Sequence, residues 1–199
     1  MPNTLLTMES ANLYCGKSSK DQGASNHLTL TEIQLPMLEE QYVEHRAGGA
    51  PVAIEIDTVV GRLEATFAVI GWTPQISQLF HSWATDDNYF TMYGVVRDRV
   101  SGDAQQAVSL MKGRLARSAP TNWRRGDVLN WNYSIKGITH YELALSGAGL
   151  IYFWDFFTNT LQVGGSDRNA NTNSLLATGA VHVSPLIAIP QGMPPTGGA

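Results

Sequence analysis

Histidine and cysteine are the side chains of this sequence that most readily bind metal ions or act as bases and nucleophiles. The 199 residues include one cysteine, Cys15, and five histidines: His27, His45, His81, His140 and His182. The histidines are scattered, and none lies within metal-ligand spacing of another histidine or of Cys15. The spacing therefore predicts no metal site.

Two histidines stand close to carboxylates, in Glu44-His45 and in His140-Tyr141-Glu142. A base and a carboxylate can work together in acid–base chemistry when their side chains meet. Neighbouring residues of a strand face opposite sides of the sheet, so this adjacency argues against cooperation. We interpret these histidines as polar side chains exposed to solvent or to a pore.

Nucleophilic and phosphate-binding motifs are also not indicated. Cys15 lies in a stretch rich in Gly, Ser and Lys, where nothing would hold a base around its thiol. Gly48-Gly49 lacks the Lys-Ser/Thr pair of a phosphate loop, and Ser146-Gly147-Ala148-Gly149 is typical of a hairpin turn. We therefore expect no catalytic residue, no cofactor and no enzymatic activity. A hydrolase site built from scattered His, Asp and Glu is the least favoured alternative.

Aromatic side chains beside Arg124 and Arg125 could form a platform on which nucleotide bases or sugars stack. The aromatic residues of this part of the chain are Trp123, Trp131, Tyr133, Tyr141, Tyr152, Phe153 and Trp154. Four of them, at positions 131, 133, 152 and 154, follow the period of two that a strand requires. The pattern favours packing in a core or a subunit interface.

The composition limits the class of protein. The chain is 43% hydrophobic and 15% charged, whereas about 25% charged residues are usual for soluble domains, so the composition excludes disorder. Its longest apolar run, residues 150–157, is interrupted by Asp155 and is too short to cross a membrane. The net charge of −4 gives no overall basic field for nucleic acid.

Charge is unevenly distributed along the chain. Eleven carboxylates and four basic residues precede residue 90, whereas residues 91–136 hold eight basic residues and three aspartates. Such an asymmetry could give two ends or two faces of a subunit opposite charge.

Alternating apolar residues predict several strands. Leu28 and Leu30, followed after a one-residue shift by Ile33 and Leu35, predict a strand with a β-bulge that ends at Pro36. Further strands are predicted at 52–57, 62–69, 90–100, 104–115, 129–136, 141–145 and 150–157, the last covered on both faces. Ser101-Gly102-Asp103 joins two of them as a hairpin turn.

One helix is predicted at about residues 74–84. Thr73 is suited to cap it, Pro74 suits the first helical position, and Ile76, Leu79, Phe80 and Trp83 follow helical spacing. The fold class is therefore mainly β, an antiparallel barrel or sandwich with one flanking helix. We expect an N-terminal arm of little structure at 1–26, the β domain at 27–165 and a C-terminal tail at 166–199.

The order of elements resembles the major tail tube protein of contractile-tailed bacteriophages and tailocins, over about residues 12–175. The residues that carry the resemblance are Asn12-Leu13-Tyr14, 28–36, Gly48-Gly49-Ala50-Pro51-Val52, 63–69, the helix from Pro74, Met111-Lys112-Gly113-Arg114-Leu115, Tyr141-Glu142-Leu143, 151–155 and 163–168. The chain is also similar to the tube protein of type VI secretion systems.

The resemblance implies a homohexameric ring whose strands form one continuous inner β barrel. Rings would stack into a hollow conduit for DNA passage during ejection, surrounded by a contractile sheath. The implied partners are further copies of the chain and the sheath, tape-measure, baseplate and tail terminator proteins, with DNA crossing the lumen without specific binding and no membrane. The location would be the virion tail, and the host cytoplasm during assembly. A β-sandwich module that binds carbohydrate or nucleic acid remains the alternative.

The resemblance also implies roles for charged residues. The long excursion at 36–51 would contact the next ring, with Glu39, Glu40, Glu44, His45, Arg46, Gly48 and Gly49 as stacking residues. Glu55, Asp57 and Glu64 are candidates for the lumen, where carboxylates would repel DNA phosphates. The strand period does not fix which side is inside, so these carboxylates could equally face solvent or the sheath.

Overall fold

The computed structural model describes residues 5–19, 24–46, 48–49, 51–80 and 87–178. Within these ranges the chain forms β1 Leu6–Gly16, β2 Leu30–Gln34, β3 Glu40–His45, β4 Ile54–Val60, β5 Ala65–Ile70, α1 Pro74–Gln78, β6 Asn88–Asp98, β7 Ala104–Pro120, β8 Asn130–Leu145, β9 Gly149–Asp155, β10 Thr160–Val163, β11 Ser166–Asp167 and α2 Ala170–Leu175. The mainly β fold predicted from the sequence is confirmed. In the same ranges, no helix is long and apolar enough to span a membrane.

The strands of the main sheet are antiparallel and follow the order β1-β6-β7-β8-β9-β10-β11. Strand β8 pairs with β7 on one side and has two successive partners on the other side. Its first half pairs with β5, with Ala65 opposite Ile135, and its second half pairs with β9, with His140 opposite Asp155. The change of partner falls at Gly137, whose positive φ of 58° an L side chain rarely adopts.

The sheet curls into a partly closed barrel. Strand β2 pairs with β5, and the segment before β2 returns to β1 through a bridge between Tyr14 and Ser25. The Asn26 N–H also donates to the Leu13 carbonyl at 3.1 Å. This closure joins the end of β1, at Leu13 and Tyr14, to the segment before β2.

Alternate side chains of the strands point into the barrel and form its core. These are chiefly Leu13, Phe67, Val69, Phe90, Met92, Met111, Tyr133, Ile135 and Tyr141, all at most 3% exposed. The alternation predicted for residues 62–69 is confirmed, because Ala65, Phe67 and Val69 are buried while Thr66 is exposed. Ile76 of α1 packs against the same core.

The N-terminal region departs from the prediction of an arm with little structure. Strand β1 occupies much of residues 1–26 and pairs with β6, and Leu13 and Cys15 are buried. Most other side chains of β1 are at least partly exposed, so the sequence shows little apolar alternation there. Burial strongly raises the pKa of the Cys15 thiol, which keeps it protonated and a poor nucleophile.

The C-terminal region also has regular structure. Strand β11 and helix α2 lie in the predicted tail of 166–199, and residues 179–199 lie outside the described residues. Asn173 of α2 is buried, and its amide bonds to Asn159 in the turn after β9. These polar side-chain contacts attach α2 to the sheet. Because they involve no apolar periodicity, the sequence pattern does not predict them.

Helix α1 is shorter than predicted. It ends at Gln78 instead of about residue 84, and the Thr73 side chain forms no capping hydrogen bond. Phe80 is 47% exposed, and Trp83 lies outside the described residues. Helical stability in proteins comes mainly from packing. Ile76 is the buried residue of α1, so packing supports only a short helix here.

The last predicted strand, 150–157, is also shorter. Strand β9 ends at Asp155, whose carboxylate accepts hydrogen bonds from the Thr158 N–H at 2.8 Å and hydroxyl at 3.0 Å. These bonds turn the chain, and they leave Phe156 and Phe157 exposed. The expectation that both faces of the whole segment are covered is therefore wrong within the subunit.

Candidate assembly surfaces

Strands β3 and β4 form a separate hairpin, which we call the outer hairpin. Every residue of both strands is exposed. An isolated two-stranded hairpin is marginally stable in water, and clustered exposed apolar side chains usually mark a contact site. The outer hairpin is therefore the region of the described chain that most needs a partner.

The register gives the outer hairpin two chemically different faces. Val43 lies opposite Ile56 and His45 opposite Ile54, which makes one face largely apolar. Tyr42 lies opposite Asp57 and Glu44 opposite Glu55, which makes the other face acidic. Directly opposed like charges destabilise a strand pair. The acidic face therefore favours a positively charged partner.

Contacts within the outer hairpin offset only part of this charge. Arg46 forms an ion pair with Glu44 at 2.9 Å, and the Tyr42 hydroxyl donates to Glu40 at 2.6 Å. Both contacts are exposed to solvent, so each contributes little to stability. Gly48 and Gly49 lie in the turn between the strands.

The excursion predicted at 36–51 thus includes the first strand of the outer hairpin. Glu39 lies at its base, where its carbonyl accepts a hydrogen bond from the Gly61 N–H at 2.7 Å. The predicted stacking residues between 39 and 49 are all exposed. The structure therefore brings these residues together on one projecting element.

The three lumen candidates are not on one surface. Glu55 and Asp57 lie on the acidic face of the outer hairpin. Glu64 lies in the loop before β5 and forms an ion pair with Lys136 of β8 at 3.3 Å. The charge of Glu64 is thus partly neutralised within the subunit.

A second exposed surface is the loop of residues 121–129, which we call the basic loop. Arg124 and Arg125 are exposed and form no ion pair within the described residues. Trp123 and Val128 are 67% and 62% exposed, and Asp127 is the acidic residue of the loop. The basic loop therefore combines positive charge with uncovered apolar area.

Most aromatic residues predicted near this loop have a packing role. Trp131 stacks between Trp72 and Tyr133, with ring centroids 5.7 and 6.2 Å apart, and Tyr133 stacks on Phe67 at 4.9 Å. This ladder extends from the half-exposed Trp72 to the barrel core. A stacking platform for a ligand would have to depend on Trp72 and Trp123.

A buried polar cluster joins β8 and β9. The His140 Nδ1 lies 2.9 Å from Asp155 Oδ2, and Nε2 lies 2.7 Å from Glu142 Oε1. Glu142 is fully buried. The interpretation of His140 as a solvent-exposed or pore-facing side chain is therefore wrong. Neighbouring residues such as His140 and Tyr141 face opposite sides of the sheet, but His140 and Glu142 are two residues apart and share a face.

The cluster changes the ionisation of its members. Burial alone would lower the pKa of His140, but the hydrogen bonds and charges of Glu142 and Asp155 raise this pKa overall. Burial alone would raise the pKa of Asp155, but hydrogen bonds from His140 and Thr158 lower it overall. The two shifts favour a protonated His140 imidazole beside an ionised Asp155 carboxylate. In the described part of the chain, no three His, Cys, Asp or Glu side chains are arranged to hold a metal ion.

We predict that this cluster makes stability depend on pH. The raised pKa of His140 adds stability that is complete below its ordinary value of 6.5 and is lost as pH rises through the raised value. The lowered pKa of Asp155 adds stability that is present above 3.8 and is lost as pH falls through the lowered value. The contribution of the cluster should therefore be greatest between about pH 4 and 6.5.

Thermal unfolding of the wild type and of His140→Asn between pH 4 and 9 measures this effect. The difference in melting temperature between them should shrink above about pH 6.5. Parallel profiles across the whole range would contradict the prediction.

A mainly antiparallel β domain with a hairpin that the described residues leave exposed is typical of a subunit of a larger assembly. The family model for phage tail tube protein FII matches residues 11–176. The chain belongs to this family, and it is a structural subunit of a phage tail tube.

Solved structures match part of the chain. The PVC sheath–tube complex in the extended state matches with a TM-score of 0.49 at 5% identity, covering 67% of this chain and 87% of that chain. The PVC sheath/tube terminator gives the same TM-score and identity, with 67% and 92% covered. The baseplate of the anti-feeding prophage, 6-fold symmetrised, gives 0.44 at 11% identity, with 72% and 94% covered. No curated protein matches the sequence significantly.

Proposed function

We propose that six copies of the chain close into a ring with one continuous inner β barrel, and that rings stack into a hollow tube inside a contractile sheath. DNA crosses the tube during ejection without specific binding. The observation that carries the proposal is the family match over residues 11–176. The uncovered outer hairpin supports it, because a subunit with neighbours above and below has a place for such an element.

The proposal extends to partners and location. The tube contacts the sheath, encloses the tape-measure protein, and ends at the baseplate and at the tail terminator. Assembly takes place in the host cytoplasm, and the finished tube is part of the virion. The role is structural and involves no catalysis. The outer hairpin makes the contact between rings.

Electron microscopy of the purified protein tests the proposal. Hollow tubes, or rings with six-fold end views, are the expected result. A strictly monomeric protein at every concentration and salt would contradict it. Saturable binding of a sugar or an oligonucleotide by that monomer would favour the alternative of a β-sandwich binding module.

A channel location of Glu55, Asp57 and Glu64 is a separate assignment, which excludes a contact of Glu55 and Asp57 with the next ring. If Glu55, Asp57 and Glu64 face the channel, their replacement by Lys attracts DNA phosphates and slows ejection. Tubes should still form, because a channel surface contacts no other subunit. Ejection from assembled phage carrying each Lys variant measures the effect, with Asp103→Lys, in the exposed turn between β6 and β7, as the control. Unchanged DNA retention and ejection would count against a channel location.

A further inference from the structure

We propose that the acidic face of the outer hairpin docks on the basic loop of a second copy of this chain. The inference rests on the proposed stacking of subunits and names the two surfaces that meet. It assigns Glu44, Glu55 and Asp57 on one copy to Arg124 and Arg125 on the next.

The two surfaces lie at opposite ends of β5. The outer hairpin leads into the start of this strand, where Ala65 pairs with Ile135. The basic loop reaches its other end, where Ile70 pairs with Asn130 and the Gly71 N–H donates to the Leu129 carbonyl at 2.7 Å. Six residues of strand separate them by about 20 Å. Complementary surfaces at opposite ends of a subunit meet between copies and generate an open stack.

Charge supports this pairing. The outer hairpin, residues 40–60, has the carboxylates Glu40, Glu44, Glu55 and Asp57 against one arginine, Arg46. The basic loop has Arg124 and Arg125 against Asp127. The opposed Glu44 and Glu55 repel each other in the isolated subunit, and nearby guanidinium groups would relieve this repulsion.

Exposed apolar side chains also support docking of the outer hairpin on the basic loop. Trp123 and Val128 are exposed beside the two arginines, and Trp72 is 54% exposed next to the loop. Aromatic and arginine side chains are enriched where protein interfaces are most tightly packed. The Tyr42 ring, 54% exposed on the acidic face, would meet them.

Charge reversal tests the pairing. The acidic-face variant Glu44→Lys/Glu55→Lys and the basic-loop variant Arg124→Glu/Arg125→Glu should each raise the critical concentration for tube formation at least about tenfold, because like charges then meet across the interface. A variant with all four substitutions should form tubes near the wild-type concentration. An equimolar mixture of the two double variants should also form tubes, because each hairpin then finds a loop of opposite charge.

Matched controls are Asp103→Lys and Arg168→Glu, which reverse exposed charges elsewhere on the subunit and should leave the critical concentration unchanged. Tubes formed by either double variant at the wild-type concentration would overturn the pairing, and so would failure of the four-substitution variant whose circular dichroism shows a folded subunit. The channel location of Glu55 predicts normal tubes with altered ejection, so the experiment separates the two assignments. Failure of the wild type itself to form rings or tubes would instead reject the proposed function.

Discussion

Replacing Val43 and Ile56 by Lys should abolish tube formation while leaving the subunit folded. The two side chains lie opposite each other on the apolar face of the outer hairpin and are 58% and 45% exposed. Burial of such a side chain at a contact contributes roughly 1.5–3 kcal/mol, and a buried unpaired ammonium group adds a further penalty. The loss repeats at every subunit of a ring, so the effect on stacking should be large.

Sedimentation and negative-stain microscopy measure the loss of tubes, and thermal unfolding measures the fold. The melting temperature should change by no more than about 2 °C, because exposed substitutions usually alter stability by less than about 0.5 kcal/mol. Leu175→Lys/Leu176→Lys is a matched control, since both leucines are exposed at the end of α2. Tubes of normal yield and length from the Val43/Ile56 variant would reject the hairpin as a stacking element.

Replacing His140 by Leu should lower the free energy of unfolding by about 3–5 kcal/mol, because Glu142 would then remain buried without its ion-pair contact to the imidazole. Asp155 would lose a hydrogen bond as well. Urea unfolding of the subunit at pH 6 measures the change. The surface pair of Arg97 and Glu9 is the comparison, and Arg97→Leu should lose no more than about 1 kcal/mol.

A second variant shows whether the buried charge is the cause. His140→Leu/Glu142→Leu removes both partners, so it should be more stable than the single His140→Leu variant. Asp155 keeps its hydrogen bonds from Thr158 in both. A single variant that loses less than about 1 kcal/mol, or a double variant that loses more than the single, would contradict this account.

The sequence predicted best the strands that have one face in the barrel. Residues 62–69 and 129–135 alternate because every second side chain enters the core. Strand β1 was missed because its partner, β6, lies far along the chain and most of its side chains stay partly exposed. Tertiary pairing, not local pattern, makes it a strand.

The candidate site was predicted only in part, for a related reason. Strand β3 shows no apolar alternation, since all six of its residues are exposed and none enters the barrel core. The excursion at 36–51 was visible, but its hairpin structure and its two faces follow from pairing with β4. The spacing of His140 and Glu142 was visible too, whereas Asp155 joins them only through the register of β8 and β9.

The attachment of the outer hairpin has a mechanical consequence. Two short segments, residues 35–39 and 61–64, join it to the barrel, and the hydrogen bond from Gly61 to Glu39 closes its base. Such a connection bends more easily than a sheet with a packed core. A tube held together through these hairpins would flex at the joints between rings, while the bore of each ring kept its diameter.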